Sequence, residues 1–187
     1  MIYATTDLDA GSARVEAELG LAVLPGGRHV GQGTHNRIVP LGGGYLELLA
    51  ICDAEEAAAS PIGRVLLERI AGDGLLAWAV SGVDVPEVAE RLGTPLHSVR
   101  RDGMTAHVTG VETALTEPTL PFFVQSDAPS HPGDGGTAGG LTWIEVAGDA
   151  ARLREWLAGA LLPVRVVDGA PAVRAVGIGE RELRVNA

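Results

Sequence analysis

Glu47 stands in an otherwise apolar run, Tyr45-Leu46-Glu47-Leu48-Leu49. A carboxylate removed from water is costly unless a partner or a metal compensates it. The two-residue period of a strand puts Glu47 on the face opposite Leu46 and Leu48. The residues alone leave two readings open: a water-facing carboxylate on a one-sided sheet, or a ligand or general base in a site. Upstream, His29 and His35 flank a glycine-rich stretch beside Thr34, Asn36 and Arg37. A histidine there is either a solvated loop side chain or an acid/base group or ligand. Thr34 and Asn36 suit a substrate carbonyl, and Arg28 or Arg37 suits a carboxylate. His107 and His131 are expected at the periphery. Cys52 follows Leu48-Leu49-Ala50-Ile51 and reads as a buried small hydrophobe rather than a reactive thiol.

Composition removes several chemistries. All 14 cationic side chains are arginine, so a Schiff-base lysine, a pyridoxal phosphate anchor and a P-loop lysine are absent. The single cysteine excludes an internal disulfide and a Cys-rich metal site. A formal charge of -10 disfavours binding to phosphate backbones. No apolar run approaches a membrane span, and Met1-Ile2-Tyr3-Ala4 lacks the pattern of a signal peptide, so a cytoplasmic location is expected. Gly26-Gly27-Arg28-His29-Val30-Gly31-Gln32-Gly33 opens no helix, which removes the context a nucleotide cradle needs. It reads as a flexible loop between strands two and three.

The elements that must position these side chains recur as one phrase. A short apolar strand meets an Asp, then an amphipathic helix ending near Gly, then further strands. The first copy runs from Ile2 to Leu24 with Asp7, Asp9 and Gly20, the second from Leu75 to Val99 with Asp84 and Gly93, and the third from Leu141 to Val167 with Asp149 and Gly159. Asp satisfies orphan N–H groups at a helix start, and Gly accepts the left-handed cap. Val85, Val88, Ala89 and Leu92 follow helical spacing, as do Leu153, Trp156, Leu157 and Leu161. Strand pairs are expected at His35 to Leu41 and Tyr45 to Ile51, at Thr105 to Val111 and Pro121 to Ser126, and at Ala172 to Val176 and Glu182 to Val185. The fold class is therefore α+β, in repeated βαβββ modules. They cover residues 1–52, 74–127 and 141–187. A connector helix lies in 53–73, opened by Ser60-Pro61, and a Gly/Pro-rich loop covers 128–140.

The ordered set Asp7-Leu8-Asp9, Pro25-Gly26-Gly27-Arg28-His29, Gly33-Thr34-His35-Asn36 and Tyr45-Leu46-Glu47-Leu48 resembles the glyoxalase-like branch of the vicinal-oxygen-chelate superfamily. Pro121-Phe122-Phe123-Val124-Gln125 resembles the strand closing its second module. The resemblance implies curled mixed sheets around a cleft, with helices outside. It implies one divalent metal (Zn, Fe, Mn, Ni or Mg) held by inward side chains, with Glu47 and Gln125 as the metal-ligand candidates. It favours the site reading of Glu47. Gln125 is a ligand, a substrate contact or a structural residue. The histidine that such a module carries on strand one falls just before Met1, and Leu76-Ala77-Trp78-Ala79 offers no second one. Any metal would have to recruit His29 or His35. Trp78 reads as a cavity wall or as core.

The expected function is action on a small oxygen-rich metabolite by lyase, isomerase or dioxygenase chemistry. Glu47, His29 and His35 are the catalytic candidates. Arg28, Thr34, Asn36, Arg37, Trp78 and Gln125 are the substrate-binding ones. The rival is a metal-free protein that sequesters a small molecule, as antibiotic-resistance members do. No nucleotide, nucleic acid or membrane partner is expected. The modules are completed within one chain or in a homodimer.

Overall fold

The computed structural model describes residues 1–101, 104–127 and 132–184. The His131 position and the end of the expected strand at Val185 lie outside the described residues. The first module is β1 (Ile2–Ala4), α1 (Leu8–Leu19), β2 (Leu24–His29), β3 (Thr34–Pro40) and β4 (Tyr45–Ile51). Two helices follow, α2 (Ala54–Ala59) and α3 (Pro61–Arg69). The second module is β5 (Gly74–Ala77), β6 (Ala79–Val80), α4 (Val85–Leu92), β7 (Leu96–Arg101), β8 (Met104–Thr109), α5 (Val111–Thr116) and β9 (Phe122–Ser126). The third unit is β10 (Leu141–Ala147), α6 (Ala150–Trp156), β11 (Val164–Val167), β12 (Ala172–Ile178) and β13 (Arg181–Arg184).

Local chemistry explains the helix ends. Asp7, Asp53, Asp84 and Asp149 each accept backbone N–H groups in the first turn of α1, α2, α4 and α6. Gly20 and Gly93 take the left-handed conformation that ends α1 and α4. The third helix is shorter than its apolar spacing suggested. It ends at Trp156, and Leu161 is 97% exposed. Leu157 and Gly159 close its final turn through backbone bonds to Leu153 and Arg154 instead.

Modules one and two share a pairing order. In the first, β1 lies parallel to β4, followed by β3 and β2; in the second, β6 lies parallel to β9, followed by β8 and β7. The polypeptide between Gly74 and Val80 belongs to both sheets: β5 extends the first beside β1, and β6 starts the second. At the other side a bridge joins Val30 to Arg100. The two sheets thus curl around a common space.

The third unit repeats the element order but not the pairing. Its sheet runs β11-β10-β12-β13, with β10 directly parallel to β11 and antiparallel to β12. The inward side chains Ile144, Val146, Val176, Ile178 and Leu183 join one core with Leu8, Val15 and Leu19 of α1, Val85 of α4, and Leu46 and Leu48 of β4. The third sheet therefore covers the outside of the paired modules.

Three other expectations need correction. The glycine stretch after Leu24 is a turn only at its end: Gly26 to His29 lie within β2, beside an irregularity between Pro25 and Arg28, and the chain turns at Gly31–Gly33. Val111 leaves the strand and starts α5, an unexpected helix inserted before β9. Cys52 is exposed, because the apolar run ends with β4 and the chain turns outward into α2.

Candidate active site

The alternation of β4 decides which side chains reach the common space. Tyr45, Glu47 and Leu49 line it, whereas Leu46 and Leu48 pack against α1 in the outer core. Cross-strand pairing adds the neighbours. His29 of β2 lies opposite Thr34 of β3, and Asn36 lies opposite Leu49. The result is a polar strip running over β4, β3 and β2.

Glu47 is the centre of that strip, with its side chain 14% exposed. Asn36 Nδ2 donates to Glu47 Oε1 at 2.5 Å. His29 Nε2 lies 3.6 Å from the same oxygen. Asn36 Nδ2 also stands 3.3 Å from His29 Nε2, and His29 Nδ1 stands 2.9 Å from Thr34 Oγ1. Asn36 is anchored from behind, its Oδ1 accepting Gly27 N–H at 2.9 Å. Both contacts to the carboxylate converge on Oε1; among the described residues Oε2 has no hydrogen-bond partner. A half-buried carboxylate with one tied and one open oxygen is suited to accept a proton from a bound molecule. The Met1 α-amine, also at this wall, donates to Tyr45 O at 3.1 Å; burial lowers its pKa to about 6, against the opposing pull of the Glu47 carboxylate.

The remaining walls are apolar. The cavity measures about 310 Å³. The second module contributes Val99, Met104, Ala106, Val108, Phe122 and Val124, with Ser81 and Ser126 as its polar members. Ile62 and Leu66 of α3 and Val111 and Leu115 of α5 close one side. The connector helix is thus part of the site.

Several expected members are elsewhere. Gln125 does not share the hollow with Glu47. Phe122, Val124 and Ser126 take the inward positions of β9, and Gln125 faces out, where its Oε1 accepts Val85 N–H at 3.3 Å. Strand parity is the reason, since a one-residue offset reverses the face. His35, Arg28 and Arg37 lie outside for the same reason. Arg28 pairs with Asp53 and Glu56 of the α2 region. Arg37 pairs with Asp9 and donates to Ser12 Oγ at 2.9 Å, fastening β3 to α1. His35 stands near both arginines; burial first, then Arg37 and Arg28, lower its pKa. Trp78 is core at 2% exposure, and its Nε1 is buried with no hydrogen-bond partner among the described residues. His107 is peripheral as expected, exposed on the outer face beside Ser98.

Sequence reasoning missed Gln32, Tyr45, Ser81 and Ser126, all at the cavity wall. Tyr45 was within reach of parity counted from Glu47. Ser81 and Ser126 required knowing which face of module two turns inward. Gln32 follows from the β2–β3 turn, where its Oε1 accepts the Ser60 hydroxyl.

The donor set does not fit the metal centre implied by the resemblance. Among the described lining residues His29 and Glu47 are the metal-capable side chains, both from module one, and the facing wall of module two adds serine hydroxyls and hydrocarbon. Among the described residues no three His, Cys, Asp or Glu side chains converge as a metal cluster.

Two βαβββ modules curled around one cavity, with a carboxylate from the closing strand of the first, define the vicinal-oxygen-chelate arrangement. The family model of the glyoxalase-like domain matches residues 1–161, and the chain belongs to that family. No curated protein matches it significantly. Among solved structures, a hypothetical protein from Staphylococcus aureus is similar over 94% of this chain and 87% of its own, with TM-score 0.72 and 16% identity. A Streptomyces coelicolor methylmalonyl-CoA epimerase variant in complex with 2-nitronate-propionyl-CoA is 20% identical, over 69% of this chain and 92% of its own, with TM-score 0.49. The methylmalonyl-CoA epimerase from Mycobacterium tuberculosis is 18% identical, over 68% and 85%, also with TM-score 0.49. Among the described residues, no helix is long and apolar enough to cross a membrane.

Proposed function

We propose that this protein is a proton-transfer enzyme of the glyoxalase-like kind, an isomerase or lyase acting on a small oxygen-bearing metabolite. The observation that carries the reading is the state of Glu47: it lines the cavity, its Oε1 is held by Asn36 and approached by His29, and no described residue bonds its Oε2. In this reading Oε2 abstracts a proton from carbon beside a carbonyl. Asn36 fixes the carboxylate plane, so the base needs no reorientation during reaction. His29, oriented by Thr34, stands near enough to return or relay a proton. The walls of Val108, Phe122 and Val124 exclude water and strengthen each polar contact within. Glu47 itself is the base, since the described donor set does not fit a metal.

The test is solvent deuterium incorporation into a panel of hemithioacetals and epimerisable acyl compounds, followed by mass spectrometry. Glu47→Gln keeps the shape and removes the base. Exchange with at least one compound, falling in the variant by about 10²–10⁴-fold, supports the proposal. Equal exchange in wild type and variant sinks it.

A specific observation favours a second reading, that of a sequestering protein. The facing wall carries no charged side chain among its described members. That is sufficient to hold a ligand between apolar surfaces. Stoichiometric ligand binding with no exchange in either protein supports it.

A further inference from the structure

The cavity is not closed by strands alone. Helices α3 and α5 pack against each other and present Ile62, Leu66, Val111 and Leu115 to it. These four belong to a second apolar cluster with Leu49, Ala77 and Val108, separate from the core that holds the third sheet. The cluster is continuous with the cavity wall through Ile2, Val99, Phe122 and Val124. Against this hydrocarbon stands the one carboxylate among the described lining residues, Glu47, whose Oε1 is the oxygen that Asn36 and His29 approach.

A molecule filling this space must satisfy both surfaces. Its body replaces water against Leu66, Leu115, Val108 and Phe122, which rewards each buried methylene by about fourfold in affinity. Its head meets a carboxylate oxygen that can only accept. A second carboxylate or a phosphate at that point faces like charge in a poorly screened space. An uncharged head that brings a hydrogen to Oε2 fits.

We infer that the substrate is an uncharged, largely apolar carbonyl compound, its head at Glu47 and its body against the α3–α5 wall, and that anionic analogues of the same length are refused. The assignment rests on the proposed function for the role of Glu47 and adds the substrate class. Leu66 and Leu115 then set the room for the apolar body, and the connector helix becomes a specificity element.

Ligand-observed NMR titrations of the full chain with octanamide and octanoate test the head; hexanamide against octanamide tests the body. Wild type should bind octanamide at least about tenfold tighter than octanoate, and about tenfold tighter than hexanamide. Glu47→Gln should narrow the amide-to-carboxylate gap to under about threefold, because the repelling charge is gone. Leu66→Trp, checked for a retained fold by circular dichroism, should abolish the gain from hexanamide to octanamide; Leu66→Phe serves if the larger side chain prevents folding. Octanoate binding as tightly as octanamide overturns the inference, as does an unchanged chain-length gain in a folded Leu66 variant, or binding of no probe. The two readings separate cleanly. The expected binding order without deuterium exchange removes the enzyme and keeps the ligand class. Glu47-dependent exchange with tight octanoate binding does the reverse.

Discussion

Asn36 connects three things that are distant in sequence: the Gly27 amide behind it, the His29 imidazole beside it and the Glu47 carboxylate in front. Its position depends on close contact with β2. A Cβ on Gly26 would lie 2.1 Å from Asn36 Oδ1 and 2.4 Å from its backbone oxygen. Backbone cannot yield as a flexible side chain does. Gly26→Ala should therefore destabilise by about 1–3 kcal/mol, read as a lowered urea midpoint, and should reduce any Glu47-dependent exchange. A variant with wild-type stability and exchange would show that β2 does not hold Asn36. Legibility at this scale followed parity. Glu47, His29, Thr34 and Asn36 share one face and were all named from sequence. His35, Arg28, Arg37 and Gln125 were named with them and fell on the other face. Adjacent residues in a strand look equally chemical in sequence; only the register of β2 with β3, and the inward face of β9, separates them.

Ser60 illustrates how an element enters the site. It is the N-cap of α3, its hydroxyl accepting Gly63 N–H at 3.0 Å, and the same hydroxyl donates to Gln32 at the cavity rim. The Ser60-Pro61 signal made the helix readable in advance, with Ser60 as N-cap and Pro61 in the first turn. Its role was not readable, since a connector and a wall have the same amphipathic pattern. The inserted α5 was hidden because Val111 continues the apolar strand before it and Gly110 supplies no side-chain cap. Ser60→Ala should cost about 1 kcal/mol in urea unfolding and loosen Gln32. If α3 is only a connector, the loss of stability will leave octanamide affinity unchanged. If α3 is a cavity wall, affinity falls as well.

At the scale of the whole molecule, the third unit shows where repetition in sequence misleads. The strand–Asp–helix–Gly phrase recurs because each helix needs the same start and stop. It does not specify which strands pair, and β10 pairs with β11 where β1 passes over to β4. The consequence is a sheet that braces the paired modules from outside rather than a third half-cup. Trp156 is the main fastening. Its Nε1 donates to the buried Pro121 O at 2.8 Å, its carbonyl accepts from Arg91 at 3.0 Å, and Arg152 beside it pairs with Glu117. One apolar core runs from Met1 through Trp78 and Trp156 to Leu183, so the three units should unfold together. Trp156→Ala, by removing the ring and leaving Pro121 O unpaired, should cost about 3–5 kcal/mol. The transition should stay single, with Trp143 fluorescence in the third sheet and far-ultraviolet circular dichroism giving the same midpoint. An early, separate fluorescence change in the wild type would mean that the third unit is an independent domain, and that bracing from outside is not what keeps the cavity in shape.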